Sequence, residues 1–130
     1  MNTSKKILIV DNERHIRILL TQALHKLEKV GVQIFAAENG LEALRLIDIE
    51  HPDLIFLDLM MPGLHGFDVC RLIKSDPTMK HSHIIILTAR SQSVDKQMGS
   101  ISGADEYLVK PFDPMKILEH AGTILGFSTV

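Results

Sequence analysis

Tryptophan is absent from this chain of 130 residues, which also has only one cysteine, Cys70, and one tyrosine, Tyr107. A single cysteine cannot form an intramolecular disulfide, so nothing in the sequence implies an oxidising compartment. No apolar run approaches the roughly 18 residues that a membrane-spanning helix needs. The first residues, MNTSKK, lead into an apolar block that is too short for a secretory signal and lacks a cleavage pattern. These absences predict a soluble, cytoplasmic protein that does not act in a membrane.

A strong charge of one sign is also missing, because 14 basic residues nearly balance 16 acidic ones and leave a net charge of -2. Such a chain has no field that would attract nucleic acid, so direct nucleic-acid binding is not expected. Hydrophobic residues make up 45% of the sequence, which is ordinary for a globular protein. Internal repeats and linkers are absent as well. We therefore predict one domain over residues 1–130, which either stands alone or is a fragment of a longer protein.

Five short apolar runs are present, and each is bounded by polar residues. They cover residues 7–10, 32–35, 54–57, 84–87 and 107–109. Continuous apolar runs of this length are typical of strands that are buried on both faces. The sequence thus predicts five strands of that kind.

The segments between these runs have apolar residues at helical spacing. A first helix of about four turns is predicted over residues 16–27, and a fifth begins at Asp113 as N-cap with Pro114 at its first position. The apolar residues that mark the second, third and fourth helices are Leu41, Leu44, Ile47 and Ile49; Phe67, Cys70 and Ile73; and Val94, Met98 and Ile101. Alternating strands and helices predict an α/β fold, a flavodoxin-like doubly wound (βα)5 domain whose five-stranded parallel sheet has the order 2-1-3-4-5.

In such sheets, ligands bind beyond the carboxyl ends of the strands. The residues that follow the first, third, fourth and fifth runs are Asp11, Asn12 and Glu13; Asp58; Thr88; and Lys110. Each of these residues alone is more often a turn or surface residue than a functional one. Together they bring an acidic cluster, a separate aspartate, a hydroxyl and an ammonium to one edge of the sheet.

This set of groups suits a carboxylate that accepts a phosphoryl group. Asp58 can act as a nucleophile toward phosphorus and form an aspartyl phosphate. Such a transfer mainly needs positioning and neutralisation of charge. Lys110 would supply a positive charge to the phosphate, and the Thr88 hydroxyl would donate a hydrogen bond to it. A Mg2+ ion between neighbouring carboxylates would relieve their repulsion and bind phosphoryl oxygens.

Four motifs extend this pattern over nearly the whole chain. They are ILIVDNE at residues 7–13, DLMMPGLHG at 58–66, LTA at 87–89 and GADEYLVKPF at 103–112. In their order and separation, with 47 positions between residues 11 and 58, 30 to residue 88 and 22 to residue 110, they resemble the receiver domain of two-component response regulators. The resemblance is to the stand-alone chemotaxis regulators among others.

The resemblance implies a role for each matching residue. Asp58 would accept a phosphoryl group from a sensor histidine kinase or a histidine phosphotransfer protein. Thr88 and Tyr107 would form the switch, with Thr88 moving toward the phosphoryl group and Tyr107 turning inward behind it. Lys110 would bind the phosphate, and the Lys110–Pro111 peptide bond is expected to be cis.

The resemblance also implies a Mg2+ site formed by Asp11, Asn12, Asp58 and the backbone carbonyl of Met60. This sequence departs from the family at one of these positions, since the family usually has a second acidic residue where Asn12 stands. An amide oxygen still binds hard cations but brings no formal charge. We therefore predict weaker Mg2+ binding than in a typical member, with compensation from Asp11 and Glu13.

Competing functions remain open. A pseudo-receiver would keep the fold and bind partners without phosphorylation, a hypothesis that Asn12 favours. An aspartyl-phosphate phosphatase would have a second aspartate at the position of Met60, and a dinucleotide-binding enzyme would have a glycine-rich turn after the first strand, so an enzyme is not predicted. The fourth predicted helix, the fifth strand and the fifth predicted helix form the face that the family uses for homodimerisation or partner binding, and the sequence leaves that choice open.

Overall fold

A computed structural model of the chain describes residues 4–89 and 103–127. The strands among them are β1 (Lys6–Val10), β2 (Gln33–Ala37), β3 (Leu54–Asp58), β4 (His83–Ala89) and β5 (Glu106–Lys110). The helices are α1 (Arg14–Ala23), α2 (His25–Glu28), α3 (Gly40–Glu50), α4 (Gly66–Ser75) and α5 (Pro114–Leu125). The fourth predicted helix, marked by Val94, Met98 and Ile101, lies outside the described residues.

The strands form one parallel sheet in the order β2-β1-β3-β4-β5. This arrangement confirms the flavodoxin-like prediction. The register pairs Asp58 with Leu87 and Ala89 with Lys110, so β3, β4 and β5 end at the same edge of the sheet. Two hydrophobic clusters cover the sheet, one under α1, α2 and α5 and the other under α3 and α4.

Burial differs between the central and the edge strands. β3 is buried throughout, and β1 and β4 are buried except at their ends. In β2 and β5, exposed and partly exposed residues predominate. The prediction that all five strands are buried on both faces is therefore wrong for these two, because each is at an edge of the sheet and has one neighbouring strand.

Two helix predictions also need correction. The first helix is not continuous, since α1 ends at Ala23 with Leu24 as its C-cap, and the short α2 begins at His25. In α3 the expected core residues Leu41 and Ile49 are 68% and 64% exposed, whereas Ala43 and Ile47 are buried. The buried face of α3 therefore includes Ala43, which is smaller than the leucine and isoleucine residues that apolar spacing indicated.

Side-chain caps begin α3 and α5, and the second of them, Asp113, is the capping residue that the sequence predicts. The Asn39 side chain accepts a hydrogen bond from the Glu42 amide at 2.8 Å, and Asp113 accepts one from the Met115 amide at 3.0 Å. Pro114 occupies the first turn of α5, as predicted. Cys70 is buried, as its spacing in α4 indicated. Across the described residues, none of the helices has the length and apolar character needed to cross a membrane.

Candidate functional site

The candidate site lies at the carboxyl edge of the sheet, where three charged residues come together. Asp11 directly follows β1, Asp58 is the last residue of β3 and Lys110 is the last residue of β5. Successive side chains in a strand point to opposite faces. Two positions before each of the three residues are Ile9, Phe56 and Leu108, which pack under α1 and α5. The three charged side chains are therefore on that same face of the sheet. The fold therefore brings these residues to one edge in the way that the sequence predicted.

A single ammonium group joins the acidic residues. Lys110 Nζ donates a hydrogen bond to Asp11 Oδ2 at 2.8 Å and lies 3.5 Å from both Asp58 Oδ1 and Glu13 Oε1. Asp11 is fully buried and Asp58 is 5% exposed. Because burial weakens the screening by water, these charges interact strongly. The two buried carboxylates thus face the same point in space.

The environment of Asp58 favours its protonated form. Burial and, next, the negative charge of Asp11 raise the pKa of Asp58 from 3.8 to about 6. Lys110 and a hydrogen bond from the Met60 amide act in the opposite direction but do not cancel this effect. A cation placed between Asp11 and Asp58 would remove much of the repulsion. Above pH 6 the free carboxylate of Asp58 is a nucleophile that carries an unfavourable charge.

Lys110 remains charged in this site. Burial by itself lowers the pKa of the Lys110 ammonium, but the hydrogen bond to Asp11 and the charges of Asp11, Asp58 and Glu13 outweigh burial. The pKa of Lys110 is therefore raised above its usual value of 10.5. The peptide bond between Lys110 and Pro111 is cis, as predicted.

The turn after β1 is held by several hydrogen bonds to Asp11. Its amide donates to the Ala37 carbonyl at 3.1 Å, and its Oδ1 accepts from the Glu13 amide at 2.9 Å. The Arg17 guanidinium donates to the Asp11 carbonyl at 2.8 Å. Sequence reasoning missed Arg17, because a basic residue four positions after Glu13 on a helix indicates an ordinary surface pair. Its contact depends on how the turn bends back.

The loop after Asp58 is packed closely against the start of α4. The Gly66 amide donates to the Leu59 carbonyl at 2.9 Å. A Cβ atom on Gly66 would lie 2.5 Å from the Asp58 carbonyl oxygen and 2.9 Å from Leu59 Cα. These neighbours are backbone atoms and cannot move aside, so position 66 accepts only glycine at this spacing. The first turn of α4 therefore fixes the backbone at the candidate phosphoacceptor.

Thr88 and Tyr107 lie on the opposite face of the sheet from Asp11, Asp58 and Lys110. Thr88 is 2% exposed and pairs with Val109, while Tyr107 pairs with Ile86, two residues before Thr88. The two side chains accordingly point to the same face. Tyr107 is 38% exposed, and its ring packs edge-on against Phe67, with the ring centroids 6.4 Å apart. Thr88 is at the site edge, and Tyr107 is farther from it.

The oxygen atoms at this edge fit a hard cation such as Mg2+. Asp11 and Asp58 supply two buried carboxylates that converge on one point, and oxygen ligands are those that Mg2+ prefers. Asn12 is exposed. Within residues 4–89 and 103–127, no three histidine, cysteine, aspartate or glutamate side chains are grouped so that they could hold a metal ion together. A cation at this point could bind to the carboxylates of Asp11 and Asp58, with neutral oxygens as further ligands.

Comparison with known proteins matches residues 7–122 to the response regulator receiver domain. The chain belongs to this family. PhoP of Bacillus subtilis, an alkaline phosphatase synthesis transcriptional regulatory protein, is 39% identical over 127 residues, which cover 98% of this chain and 51% of PhoP. PilG of Pseudomonas aeruginosa is 38% identical over 113 residues, which cover 87% of this chain and 82% of PilG. This receiver domain thus spans about half the length of PhoP.

A solved structure agrees with the fold. The chemotaxis response regulator CheY4 of Vibrio cholerae superposes with a TM-score of 0.80 at 30% identity, covering 94% of this chain and 99% of CheY4. Receiver domains are signalling domains of two-component systems and not enzymes of the ordinary kind. They typically bind Mg2+ at the phosphorylation site and interact with histidine kinases or phosphotransfer proteins.

Proposed function

We propose that this receiver domain is a switch that accepts a phosphoryl group on Asp58 from a sensor histidine kinase or a histidine phosphotransfer protein. The observation that best supports this proposal is that the carboxylates of Asp58 and Asp11 both lie next to the Lys110 ammonium. A carboxylate oxygen of Asp58 attacks phosphorus, the bond from phosphorus to the donor's imidazole nitrogen breaks, and the imidazole leaves with the electron pair. The product is an aspartyl phosphate.

Each neighbour has a task in this transfer. Lys110 moves its hydrogen bonds from Asp11 and Asp58 to a phosphoryl oxygen, and its raised pKa keeps it charged. Thr88, buried one position beyond the partner of Asp58 in β4, donates its hydroxyl to the phosphoryl group. Asp11, Asn12, Asp58 and the Met60 carbonyl would hold Mg2+, which when bound supplies the positive charge that stabilises the transferred oxygens.

The switch that we propose runs from Thr88 to Tyr107. Both residues point to the same face of the sheet, so movement of Thr88 toward the phosphoryl group frees space on the side where Tyr107 lies. Tyr107 then turns inward from its exposed position. Because it is the only tyrosine and the chain has no tryptophan, the intrinsic fluorescence of the domain reports on this residue alone.

Acetyl phosphate with Mg2+ tests the function directly. Intact mass spectrometry should show one added phosphoryl group on the native chain and none on Asp58→Asn. Asp48→Asn, an exposed residue of α3, is the matched control and should be modified like the native chain. Modification of Asp58→Asn would place the acceptor elsewhere.

A pseudo-receiver is the second candidate, and Asn12 favours it. The site would then bind partners regardless of phosphate. In that case the native chain would remain unmodified by acetyl phosphate at saturating Mg2+. The intact Lys110, Asp11 and Asp58 cluster favours the phosphorylated switch instead.

Asn12→Asp should strengthen Mg2+ binding about tenfold, since a second formal negative charge would join the ligand set. The affinity can be measured by following backbone amide shifts near Asp58 during a Mg2+ titration. Gln33→Glu adds the same charge at the exposed first residue of β2, at the opposite end of the sheet, and serves as control. Equal affinities of Asn12→Asp and the native chain would show that position 12 does not face the ion.

The output of the switch is a further proposal. Exposed apolar side chains lie on β5 and α5, where Val109 is 52% and Met115 is 59% exposed. We propose that these side chains belong to a surface that binds a partner or a second copy of the chain; the fourth predicted helix, the other part of the predicted face, lies outside the described residues. Sedimentation velocity with and without acetyl phosphate would separate these two outcomes.

A further inference from the structure

We propose that Arg17 is a positioning residue that sets the geometry of the cation-binding turn at Asp11 and Asn12. Arg17 Nη1 donates to the Asp11 carbonyl oxygen at 2.8 Å, reaching back six residues from α1 to the end of β1. Its side chain is 19% exposed. The inference rests on the proposed function only in assigning Asp11 and Asn12 to the cation.

The hydrogen bonds of Asp11 show what Arg17 contributes. The amide and both carboxylate oxygens are engaged by Ala37, Glu13 and Lys110. Arg17 engages the remaining polar atom, the carbonyl oxygen. That oxygen belongs to the peptide that joins Asp11 to Asn12. A donor at the carbonyl therefore fixes the rotation of this peptide, and with it the direction in which the Asn12 side chain leaves the backbone.

The start of α1 gives Arg17 particular importance. Glu13 occupies the N-cap position but its side chain makes no capping hydrogen bond. The turn is therefore not fixed by the usual cap, and Arg17 ties the helix to the strand end instead. The backbone carbonyl of Glu13 accepts the Arg17 amide at 3.2 Å, so the same residue closes the turn through both its backbone and its side chain.

The position of the Asn12 side chain is important for the affinity for Mg2+. A charged ligand attracts a cation over a distance, whereas a neutral amide oxygen contributes only when it is correctly placed. Groups that orient metal ligands without touching the metal commonly change affinity about 10- to 100-fold when they are removed. A chain with asparagine at position 12 should be at least as sensitive as this.

An effect of Arg17 on Mg2+ binding could also come from its ion pair with Glu38. This contribution can be separated from that of the hydrogen bond to Asp11. Arg17 Nη2 is 3.9 Å from Glu38 Oε2, and the Glu38 side chain is 63% exposed. Such exposed pairs contribute little. Glu38→Gln therefore removes the ion pair while keeping the bond from Arg17 to Asp11, and it is the matched control.

The experiment is a Mg2+ titration of the native chain, Arg17→Met, Arg17→Lys and Glu38→Gln, followed by backbone amide shifts. Arg17→Met should raise the dissociation constant about 10- to 100-fold. Arg17→Lys keeps a charged donor and should recover part of that loss, and Glu38→Gln should match the native chain. A dissociation constant of Arg17→Met within twofold of the native value, or an equal loss in Glu38→Gln, would overturn the proposal.

Hydrogen exchange without metal gives a second, independent readout. In Arg17→Met the amides of Asp11 and Glu13 should exchange about tenfold faster, because local opening of the turn is easier. The Leu57 amide in β3 should keep its native rate, which separates this effect from loss of fold. Unchanged exchange at Asp11 and Glu13 would also overturn the proposal. Failure of Asp58 phosphorylation in the native chain would count against the proposed function and leave both readouts intact.

Discussion

Asp58→Asn should make the chain more stable at pH 7, by about 1–2 kcal/mol. The pKa of Asp58 is raised to about 6 in the folded chain from an ordinary value of 3.8. Each pKa unit corresponds to about 1.4 kcal/mol, and the cost of burying the polar asparagine amide offsets part of this gain. Asparagine removes the buried charge and keeps the shape of the side chain.

The sign of the pH dependence follows from proton binding. Between about pH 4 and 6 the folded state holds the Asp58 proton more tightly than the unfolded state does. Stability therefore falls as the pH rises through this window and remains lower above it. The gain in Asp58→Asn should be near zero below pH 4 and reach its full size above pH 6.

Urea denaturation of both chains from pH 3.5 to 7.5 measures this difference. Asp76→Asn is a control of opposite sign, because hydrogen bonds from the Thr78 amide and hydroxyl lower the pKa of Asp76. That substitution should weaken the fold at neutral pH and have less effect in acid. A gain in Asp58→Asn that is the same at every pH would show that the charge of Asp58 is not its cause.

Much of the fold could be predicted from the sequence because its signals are local. The apolar runs, the capping residue Asp113 and the parallel order follow from patterns within a few residues and from the handedness of crossovers. Because ligands bind beyond the carboxyl ends of parallel strands, Asp11, Asp58 and Lys110 were expected to lie together. Asp11 and Asp58 both contact the Lys110 ammonium, so the three side chains lie close together.

The wrong predictions concern features that depend on the position of a residue in the tertiary structure. Apolar spacing does not show that β2 and β5 are edge strands or that Leu41 and Ile49 face outward, since burial depends on which elements pack against them. The contact between Arg17 and the Asp11 carbonyl depends on the path of a turn. In the same way, His83 at the start of β4 and His120 of α5 both contact Glu106 at the start of β5. Sequence spacing contains none of these distances.

Lys110→Met should have the largest destabilising effect, about 3–5 kcal/mol at pH 7, because it leaves buried carboxylates without their counter-charge. The Lys110 side chain is 14% exposed and its partner Asp11 is fully buried. Methionine preserves most of the apolar stem, so the loss reports mainly on charge. Lys116→Met on α5, where the lysine is exposed, should change stability by less than about 0.5 kcal/mol.

A double-mutant cycle distinguishes charge from packing at this position. If the ammonium acts by balancing Asp11, then Asp11→Asn should recover much of the loss in the Lys110→Met background, giving an interaction energy of about 1–3 kcal/mol. Mg2+ should also recover stability in Lys110→Met, since a cation at the same point would balance both Asp11 and Asp58. A loss that neither Asp11→Asn nor Mg2+ reduces would mean that Lys110 stabilises the fold through its stem, and the carboxylates would then need another counter-charge.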